Sequence, residues 1–247
     1  MVIATDESDR GTAPRRDGGW IMVQPWHHVL FAHWPLPADT LRPRLPARLE
    51  LDTFDGQAWL GVLAMQMRGV RPRGLPPVPG LSSLAQVNVR TYVVAGGVRA
   101  VYFFGLYASS LLASLGGRIL FSLPYHTADV SIRSGGDGLR LDCRAWEAGP
   151  NRAIFRAAYR PVADAYRPGE GTLPHWLAER YRLYTAGPGG DLYYGDIAHV
   201  PWALQPAELV IAENSMPAAH GLPSPAAEPV AYYARGRETR IWPLQRL

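Results

Sequence analysis

The feature that most restricts the fold of this chain is a series of short β-like runs separated by turn signals. Residues 87–94 (VNVRTYVV) alternate in side-chain character with the period of two that a strand requires. The alternation divides the run into one face with Val87, Val89, Thr91 and Val93 and another face with Asn88, Arg90 and Tyr92. Gly96-Gly97 then predicts a hairpin turn into an aromatic strand at residues 100–108. Both runs are typical of antiparallel sheets.

Further β-like runs and a few helical patterns complete the organisation of the chain. A three-stranded meander is predicted at residues 128–133, 139–146 and 153–160. Helices are predicted at residues 37–45, 109–120 and 172–184, each opened by a proline or a capping side chain. We therefore predict a mainly β, α+β-class fold with a few peripheral helices. The length is suited to a single domain, which we place at residues 20–247.

The chain has 25 basic side chains of the lysine and arginine type, and every one is an arginine. A guanidinium stays charged and is not a nucleophile at neutral pH, whereas Schiff-base catalysis needs a lysine amine. The sequence therefore excludes an internal Schiff base and a covalently held pyridoxal phosphate. We predict no cofactor.

Composition also limits the partners and the compartment. The single cysteine, Cys143, cannot form an intramolecular disulfide, and a cytoplasmic location is the default expectation. The net charge is only +4, and the arginines are scattered without a nucleic-acid-binding motif, so we expect no nucleic-acid partner. The charge-free run at residues 100–117 is interrupted by glycines and serines, which argues against a membrane span. Residues 1–19 are polar and are expected to be a disordered leader.

Several segments resemble the YqjF-like DUF2071 family of uncharacterised bacterial proteins. The matching segments are residues 31–54, 88–93, 101–104, 123–126, 177–184 and 199–202. This family is distantly similar to the acetoacetate decarboxylase-like superfamily. The resemblance implies an antiparallel β-cone or barrel that holds a small-molecule pocket.

The same resemblance directs attention to Tyr125 and His126. In the decarboxylase, the segment after the aromatic strand ends in proline and two lysines, of which the first forms the Schiff base. The corresponding residues 117–126 of this chain end in Pro124, Tyr125 and His126, so both lysines are replaced. The phenol and the imidazole are candidate catalytic groups for proton transfer. They could equally line the pocket as hydrogen-bonding groups, or simply close a structural turn.

The polar face of the 87–94 run supplies the candidate ligand-binding residues. Arg90, with Asn88 and Tyr92, could bind a carboxylate if that face lies inside the cone, because a planar guanidinium forms two parallel hydrogen bonds to it. On an outer face the same residues would only be solvated. Tyr107 on the aromatic strand is assigned to the ligand-binding set as well. If Phe103, Phe104 and Tyr107 filled the interior, a sensor or scaffold role would be favoured instead.

Other candidate residues are interpreted structurally. The histidines His27, His28 and His33 lack an acidic or thiol ligand at a recognisable spacing, so we predict no metal site. Glu179 and Arg180, with Tyr181, are expected to attach their helix to the sheet through an arginine–carboxylate pair, with catalysis as the alternative. Cys143 is expected to be a core residue, and His199 is interpreted as part of an aromatic clamp or the pocket mouth.

These observations predict a protein with a pocket for a small carbonyl or carboxylate ligand. The leading hypothesis is a lyase-type or isomerase-type enzyme that uses acid-base chemistry without a Schiff-base lysine. The alternative hypothesis is a non-catalytic ligand-binding sensor or a scaffold. A homo-oligomer is a further expectation.

Overall fold

The computed structural model describes residues 19–78, 82–112, 114–115, 123–149, 151–187 and 190–247. All but the last residue of the predicted leader lie outside the described residues. The same holds for residues 116–122, which belong to the segment that ends in Tyr125 and His126. The end of the predicted helix at 109–120 falls there too, although residues 111, 112, 114 and 115 are helical.

Besides the helical residues 111, 112, 114 and 115, the described residues form fourteen strands and three short α-helices. The strands are β1 (Met22–Leu36), β2 (Glu50–Leu51), β3 (Ala58–Arg68), β4 (Arg71–Pro72), β5 (Ser83–Ala95), β6 (Val98–Ala108), β7 (Tyr125–Gly135), β8 (Gly138–Ala145), β9 (Ile154–Pro161), β10 (Arg182–Ala186), β11 (Leu192–Ala198), β12 (Gln205–Asn214), β13 (Val230–Ile241) and β14 (Gln245–Arg246). The helices are α1 (Ala38–Leu41), which continues into a 3-10 turn at Arg42–Arg44, α2 (Leu173–Ala178) and α3 (Met216–Ala219). No helix in the described ranges is long and apolar enough to cross a membrane.

The strands form one sheet that closes on itself twice. A large ring runs in the order β1, β3, β5, β6, β7, β8, β9, β12 and β13, and β13 pairs with β1 to close it. Strands β10 and β11 connect β6 to β13 by a second route, so that a smaller ring shares β13, β1, β3, β5 and β6 with the large one. Only the pairs β6–β7 and β6–β10 are parallel among these contacts. The predicted mainly antiparallel β fold is confirmed.

The two faces of the shared strands pack against different material. Every strand of the large ring contributes apolar side chains to one cluster, which therefore fills the interior of that ring. On β5, Val87 and Val89 belong to this main core. The opposite face of the same strands is covered by α2, whose Trp176 and Leu177 pack against Tyr92. The predicted division of residues 87–94 into two faces agrees with this arrangement.

The predicted meander is present as β7, β8 and β9, whereas the predicted helix at 172–184 is wrong in its second half. Helix α2 ends at Ala178, and residues 182–186 form β10 instead. In β10, Leu183 pairs with Val101 of β6 and with Gly195 of β11. Strand pairing on both sides satisfies the backbone of this segment, so tertiary contacts override its helical spacing.

Candidate functional site

A stripe of buried polar side chains follows one face of β5. The stripe consists of Gln86, Asn88, Arg90 and Tyr92, which are 4%, 3%, 8% and 0% exposed. Along β5 these four residues alternate with residues of the main core, so they point to the opposite face of the strand. This is the face that α2 covers. Buried polar groups are normally hydrogen-bonded. A row of four buried polar side chains at alternate positions is unusual for a strand interior. We call this set the β5 polar stripe.

Arg90 is a buried cation without a carboxylate partner. Its Nη2 donates to the main-chain oxygen of Leu177 at 3.1 Å and lies 3.5 Å from the hydroxyl of Tyr92. Its Nε has no hydrogen-bond partner. Within the part of the chain that the structure describes, no acidic side chain lies within 4.0 Å of it. A buried charge is expensive unless it is paired, so this guanidinium is suited to a ligand anion.

His33 of β1 lies next to Arg90 across β3. Gly61 separates the two in the register, and a Cβ at Gly61 would lie 3.0 Å from His33 Cδ2 and 3.4 Å from Arg90 Cγ. The glycine therefore leaves room for both side chains on one face. Burial, and secondly the charge of Arg90, lower the pKa of His33 well below its usual range. The imidazole is neutral at pH 7.

Tyr92 connects His33 to the end of α2. Its hydroxyl lies 2.7 Å from Nε2 of His33 and donates to the main-chain oxygen of Leu177 at 2.9 Å. Because a phenol has one proton, this donation makes Nε2 of His33 the donor to Tyr92 and leaves Nδ1 as an acceptor. Nδ1 is buried and has no partner. Burial raises the pKa of Tyr92, which keeps the phenol protonated.

Arg180, just after α2, also packs against Tyr92. Its Nη1 donates to Oδ2 of Asp52 at 2.7 Å, and both residues are buried. Its guanidinium lies 4.8 Å from the ring centre of Tyr92 and 4.4 Å from that of Trp176. The arginine–carboxylate pair of this segment therefore joins Arg180 to Asp52 and not to Glu179. The chain is extended beyond α2, so Glu179 turns away and accepts from the main-chain N–H of Trp202 at 2.7 Å.

Buried polar atoms without partners are concentrated here. We define the Arg90 site as the side chains of His33, Asn88, Arg90, Tyr92 and Arg180 with their neighbours Trp59 and Trp176. Among the described residues, the unpartnered atoms of the site are His33 Nδ1, Trp59 Nε1, Asn88 Oδ1, Arg90 Nε, Trp176 Nε1 and Arg180 Nη2. Native interiors contain few such atoms, and each calls for a bound water, ion or ligand. The set contains several donors and two acceptors, which is a pattern that a small oxygen-rich molecule can satisfy.

Tyr125 joins the β5 polar stripe at its other end. As the first residue of β7, it pairs in parallel with Leu106 of β6, and its hydroxyl donates to Oε1 of Gln86 at 2.9 Å. Burial raises the pKa of Tyr125 to about 12. The phenol is therefore a hydrogen-bond donor at neutral pH. Sequence analysis missed Gln86, although it continues the polar alternation by one step.

His126 and Tyr107 lie on the opposite face from Tyr125. Successive strand residues point to opposite sides, and His126 stacks on the ring of Tyr107, a member of the main core, at 5.1 Å between centroids. His126 Nδ1 lies 3.0 Å from Oε1 of Glu147. The structure thus separates the six predicted site residues into two groups: Asn88, Arg90, Tyr92 and Tyr125 on one face, Tyr107 and His126 on the other.

His220, which sequence analysis missed, completes this second group. Its Nε2 lies 3.0 Å from the hydroxyl of Tyr107, and a Cβ at Gly105 would lie 2.6 Å from its Cε1. Burial, and secondly the charge of His126, lower the pKa of His220 to about 4. The aromatic side chains of β6 do not all lie on one side of the sheet. Phe103 packs with Trp176 on the α2 side, whereas Tyr107 packs in the main core.

The remaining candidates have structural roles. Within the described ranges, no group of three or more His, Cys, Asp or Glu side chains could hold a metal ion. Cys143 is buried in the main core, and burial raises the pKa of its thiol, as expected for an inert core residue. His199 stacks on Tyr181 at 4.8 Å and lies 5.0 Å from Trp202, which is the predicted aromatic clamp.

Comparisons with known proteins place this arrangement in a family. The DUF2071 family, described as an uncharacterized conserved protein, matches residues 23–238. Uncharacterized protein YqjF of Bacillus subtilis (strain 168) is 43% identical over 230 residues, which are 93% of this chain and 94% of that protein.

Solved structures show the same fold at low identity. A structure of acetoacetate decarboxylase superposes with a TM-score of 0.65 at 17% identity and covers 95% of this chain and 91% of its own. The enduracididine biosynthesis enzyme MppR, complexed with pyruvate, superposes with a TM-score of 0.64 at 13% identity over 97% of this chain and 93% of its own. The predicted acetoacetate decarboxylase-like fold is confirmed. The chain belongs to the DUF2071 family, and its structural relatives are the acetoacetate decarboxylase-like proteins.

Proposed function

We propose that this protein binds a small carboxylate or keto-carboxylate compound at the Arg90 site. The observation that carries the proposal is the buried guanidinium of Arg90, which has an unpartnered Nε and no carboxylate partner among the described residues. A planar guanidinium binds a carboxylate through two parallel hydrogen bonds. The ligand would supply the missing charge and accept hydrogen bonds from donors that are now unused.

The charges around Arg90 support an anion. The site contains the guanidiniums of Arg90 and Arg180, and the buried carboxylate of Asp52 pairs with Arg180. His33 is held neutral by its lowered pKa, and Tyr92 by its raised pKa. The site therefore has one net positive charge, and a monoanion would neutralise it. The indole N–H groups of Trp59 and Trp176 are additional free donors.

The described geometry favours binding over acid-base turnover. Tyr125 and His126, the predicted catalytic pair, lie on opposite faces of β7. A general acid or base works best when its pKa lies near the working pH, whereas the pKa of Tyr125 is raised to about 12. The chain has no lysine for a Schiff base. We therefore assign Tyr125 and Gln86 to ligand orientation.

Calorimetric titration with pyruvate and acetoacetate tests the proposal, since these compounds appear in the names of the structural relatives. Arg90→Lys keeps the charge and removes the planar fork, so affinity should fall about 10-fold to 100-fold. Arg99→Gln is the matched control, because Arg99 is exposed and lies 3.7 Å from the same Asp52. Its affinity should stay within about threefold of the parent. Equal binding by the parent and Arg90→Lys would refute the assignment.

Tyr125→Phe separates binding from catalysis. If the hydroxyl only orients the ligand, affinity should fall about tenfold or less, and no product should form from either compound. If Tyr125 transfers a proton, the parent should turn over acetoacetate or pyruvate and the variant should lose about 10²-fold to 10⁴-fold in rate with little change in affinity. Turnover in the parent would establish the enzymatic alternative. A borohydride trap should give no adduct within residues 20–247 in either case.

A further inference from the structure

A cleft lies in the wall of the large ring beside the end of β5, where β7 departs from β6. These two strands pair over only three residues, from Leu106–Tyr125 to Ala108–Thr127, and β7 then runs on beside the ends of β3 and β5. The gap has a volume of about 250 Å³. Its lining residues are Gln66, Met67, Arg68, Ser83, Leu84, Ala85, Ser109, Val130, Ser131, Ile132 and Arg133. The cleft is slightly smaller than typical ligand pockets, which are roughly 300–1,000 Å³.

The rim of this cleft is basic. Arg68 of β3 and Arg133 of β7 both border it, and neither has an acidic side chain within 4.0 Å among the described residues. Arg133 is directly opposite Arg140 in the pairing of β7 with β8. Like charges at directly opposed positions destabilise a sheet. The charge of Arg68 also contributes, after burial, to a lowered pKa of His27 and of His28.

Hydrogen bonds hold Arg68 in place on the wall. Gln66 Nε2 donates to the main-chain oxygen of Ile132 at 2.5 Å and so connects β3 to β7. Arg68 Nη2 in turn donates to Oε1 of Gln66 at 3.1 Å. This chain of bonds orients one edge of the guanidinium and leaves its remaining donors for another acceptor. Ordering an arginine in this way lowers the entropy that binding would otherwise cost.

The floor of the cleft is apolar. Ala85, Val130 and Ile132 belong to the main core and are exposed by less than a tenth. The hydroxyl-bearing residues Ser83, Ser109 and Ser131 also line the cleft. A compact molecule with an apolar part and one oxyanion therefore matches the lining.

We propose that this cleft is a second binding site, which takes a compact ligand with an apolar body and a phosphate or carboxylate group. Arg68 and Arg133 bind the oxyanion from two sides, and the core residues contact the apolar body. The site is distinct from the Arg90 site, because none of the residues that define the Arg90 site lines this cleft. Its ligand relieves the repulsion between the opposed arginines.

Calorimetric titration of the full chain with phenyl phosphate, benzoate and benzyl alcohol tests this proposal. Phenyl phosphate or benzoate should bind, and the comparison of the two identifies the oxyanion. Arg68→Gln and Arg133→Gln should each weaken binding about tenfold or more. Arg144→Gln is the matched control, since Arg144 lies on β8 opposite Asp129 and outside the lining, and it should bind as the parent does. Arg90→Met should also leave this binding unchanged.

A stability measurement distinguishes a ligand site from structural arginines. Arg133→Gln removes one of two opposed like charges, so its melting temperature without ligand should equal or exceed that of the parent. Loss of binding together with unchanged or higher stability supports the proposal. Failure of both oxyanion probes to bind, tight binding of benzyl alcohol alone, or binding that survives both arginine substitutions would overturn it.

Discussion

The two faces of β5 differ in how completely their groups are satisfied. On one face, Val87 and Val89 are fully buried in a cluster to which every strand of the large ring contributes. On the other face, Asn88, Arg90 and Tyr92 are almost as deeply buried, but they are polar and belong to a region with several unpartnered atoms. The same strand therefore supports a filled apolar core on one side and an incompletely satisfied polar site on the other.

This difference separates the apolar residues of β5, which stabilise the fold, from its buried polar residues, which stabilise the fold less. Burial of apolar surface stabilises the folded state without needing a partner of particular geometry. An unpartnered buried donor or acceptor costs about 1–3 kcal/mol, and a buried unpaired charge costs more. Asn88 Oδ1 and Arg90 Nε are such atoms, so these two residues stabilise the fold less than well-packed apolar side chains would. Binding of the proposed ligand would offset this cost.

The largest effect is expected for Phe155→Ala in the main core. Phe155 is fully buried in the cluster that fills the large ring, so removal of its ring leaves a cavity. The free energy of unfolding should fall by about 3–5 kcal/mol, which urea denaturation can measure. A loss below about 1 kcal/mol would show that the core rearranges easily and would break the contrast between the two faces.

An intermediate effect is expected from His220, the titratable group beside Tyr107 on the main-core side. Its pKa in the folded state is lowered to about 4 from the ordinary value of 6.5, so between these pH values the unfolded chain binds the proton more strongly. The contribution of His220 to the free energy of unfolding is therefore complete above pH 6.5, and it is lost as the pH falls towards 4. The slope attributable to His220 is at most about 1.4 kcal/mol per pH unit.

The variant His220→Gln isolates this contribution from that of the carboxylates. Glutamine does not titrate but can still accept a hydrogen bond from Tyr107. Unfolding free energies measured from pH 7 to pH 4 should fall less steeply for the variant than for the parent. Identical slopes would mean that His220 takes up its proton without penalty in the folded protein.

The smallest change in stability is expected for Arg90→Met. Replacement of a buried, unpaired guanidinium by an apolar side chain of similar length should leave the free energy of unfolding within about 1 kcal/mol of the parent or raise it. The same variant should lose the stabilisation that pyruvate or acetoacetate gives to the parent. Thermal unfolding with and without these compounds measures both quantities.

Arg180→Met provides the contrast for that experiment. It removes the guanidinium that pairs with Asp52 at 2.7 Å, and it leaves this buried carboxylate with only the exposed Arg99 at 3.7 Å. The expected loss is about 3–5 kcal/mol. If Arg90→Met were as damaging as Arg180→Met, Arg90 would be part of the structural framework and the proposed division between the two arginines would fail.

Several elements were predictable because their signals are local. The alternation of residues 87–94 predicted the two faces of β5, and the turn residues predicted the hairpin between β5 and β6. The helix at 172–184 was only half right, because strand partners of β10 lie some 80 residues earlier, at Val101, and after the segment, at Gly195. Helical spacing in a sequence carries no information about such partners.

The sequence identified the residue types of the candidate site, but it indicated only in part which of these residues lie together. Arg90, Asn88 and Tyr92 were identified from their shared strand face, and the structure keeps them together. Tyr125 and His126 were treated as one unit, yet β7 begins at Tyr125 and directs them to opposite sides. The partner of Arg180 lies 128 residues away at Asp52, and that of Tyr107 lies 113 residues away at His220. No local pattern indicates either pair.

The sequence by itself determined the chemistry that is excluded and the local periodicity of the chain. Absence of lysine rules out an internal Schiff base in any fold, since it is a property of composition. A period of two decides which side chains share a face, because successive strand residues point in opposite directions. Only the tertiary structure decided that the polar face is buried beneath α2, that no carboxylate of the described residues lies beside Arg90, and that β7 departs from β6 to open a basic cleft. These properties depend on ring closure between strands far apart in the chain, and a local pattern cannot encode which distant surface covers a face.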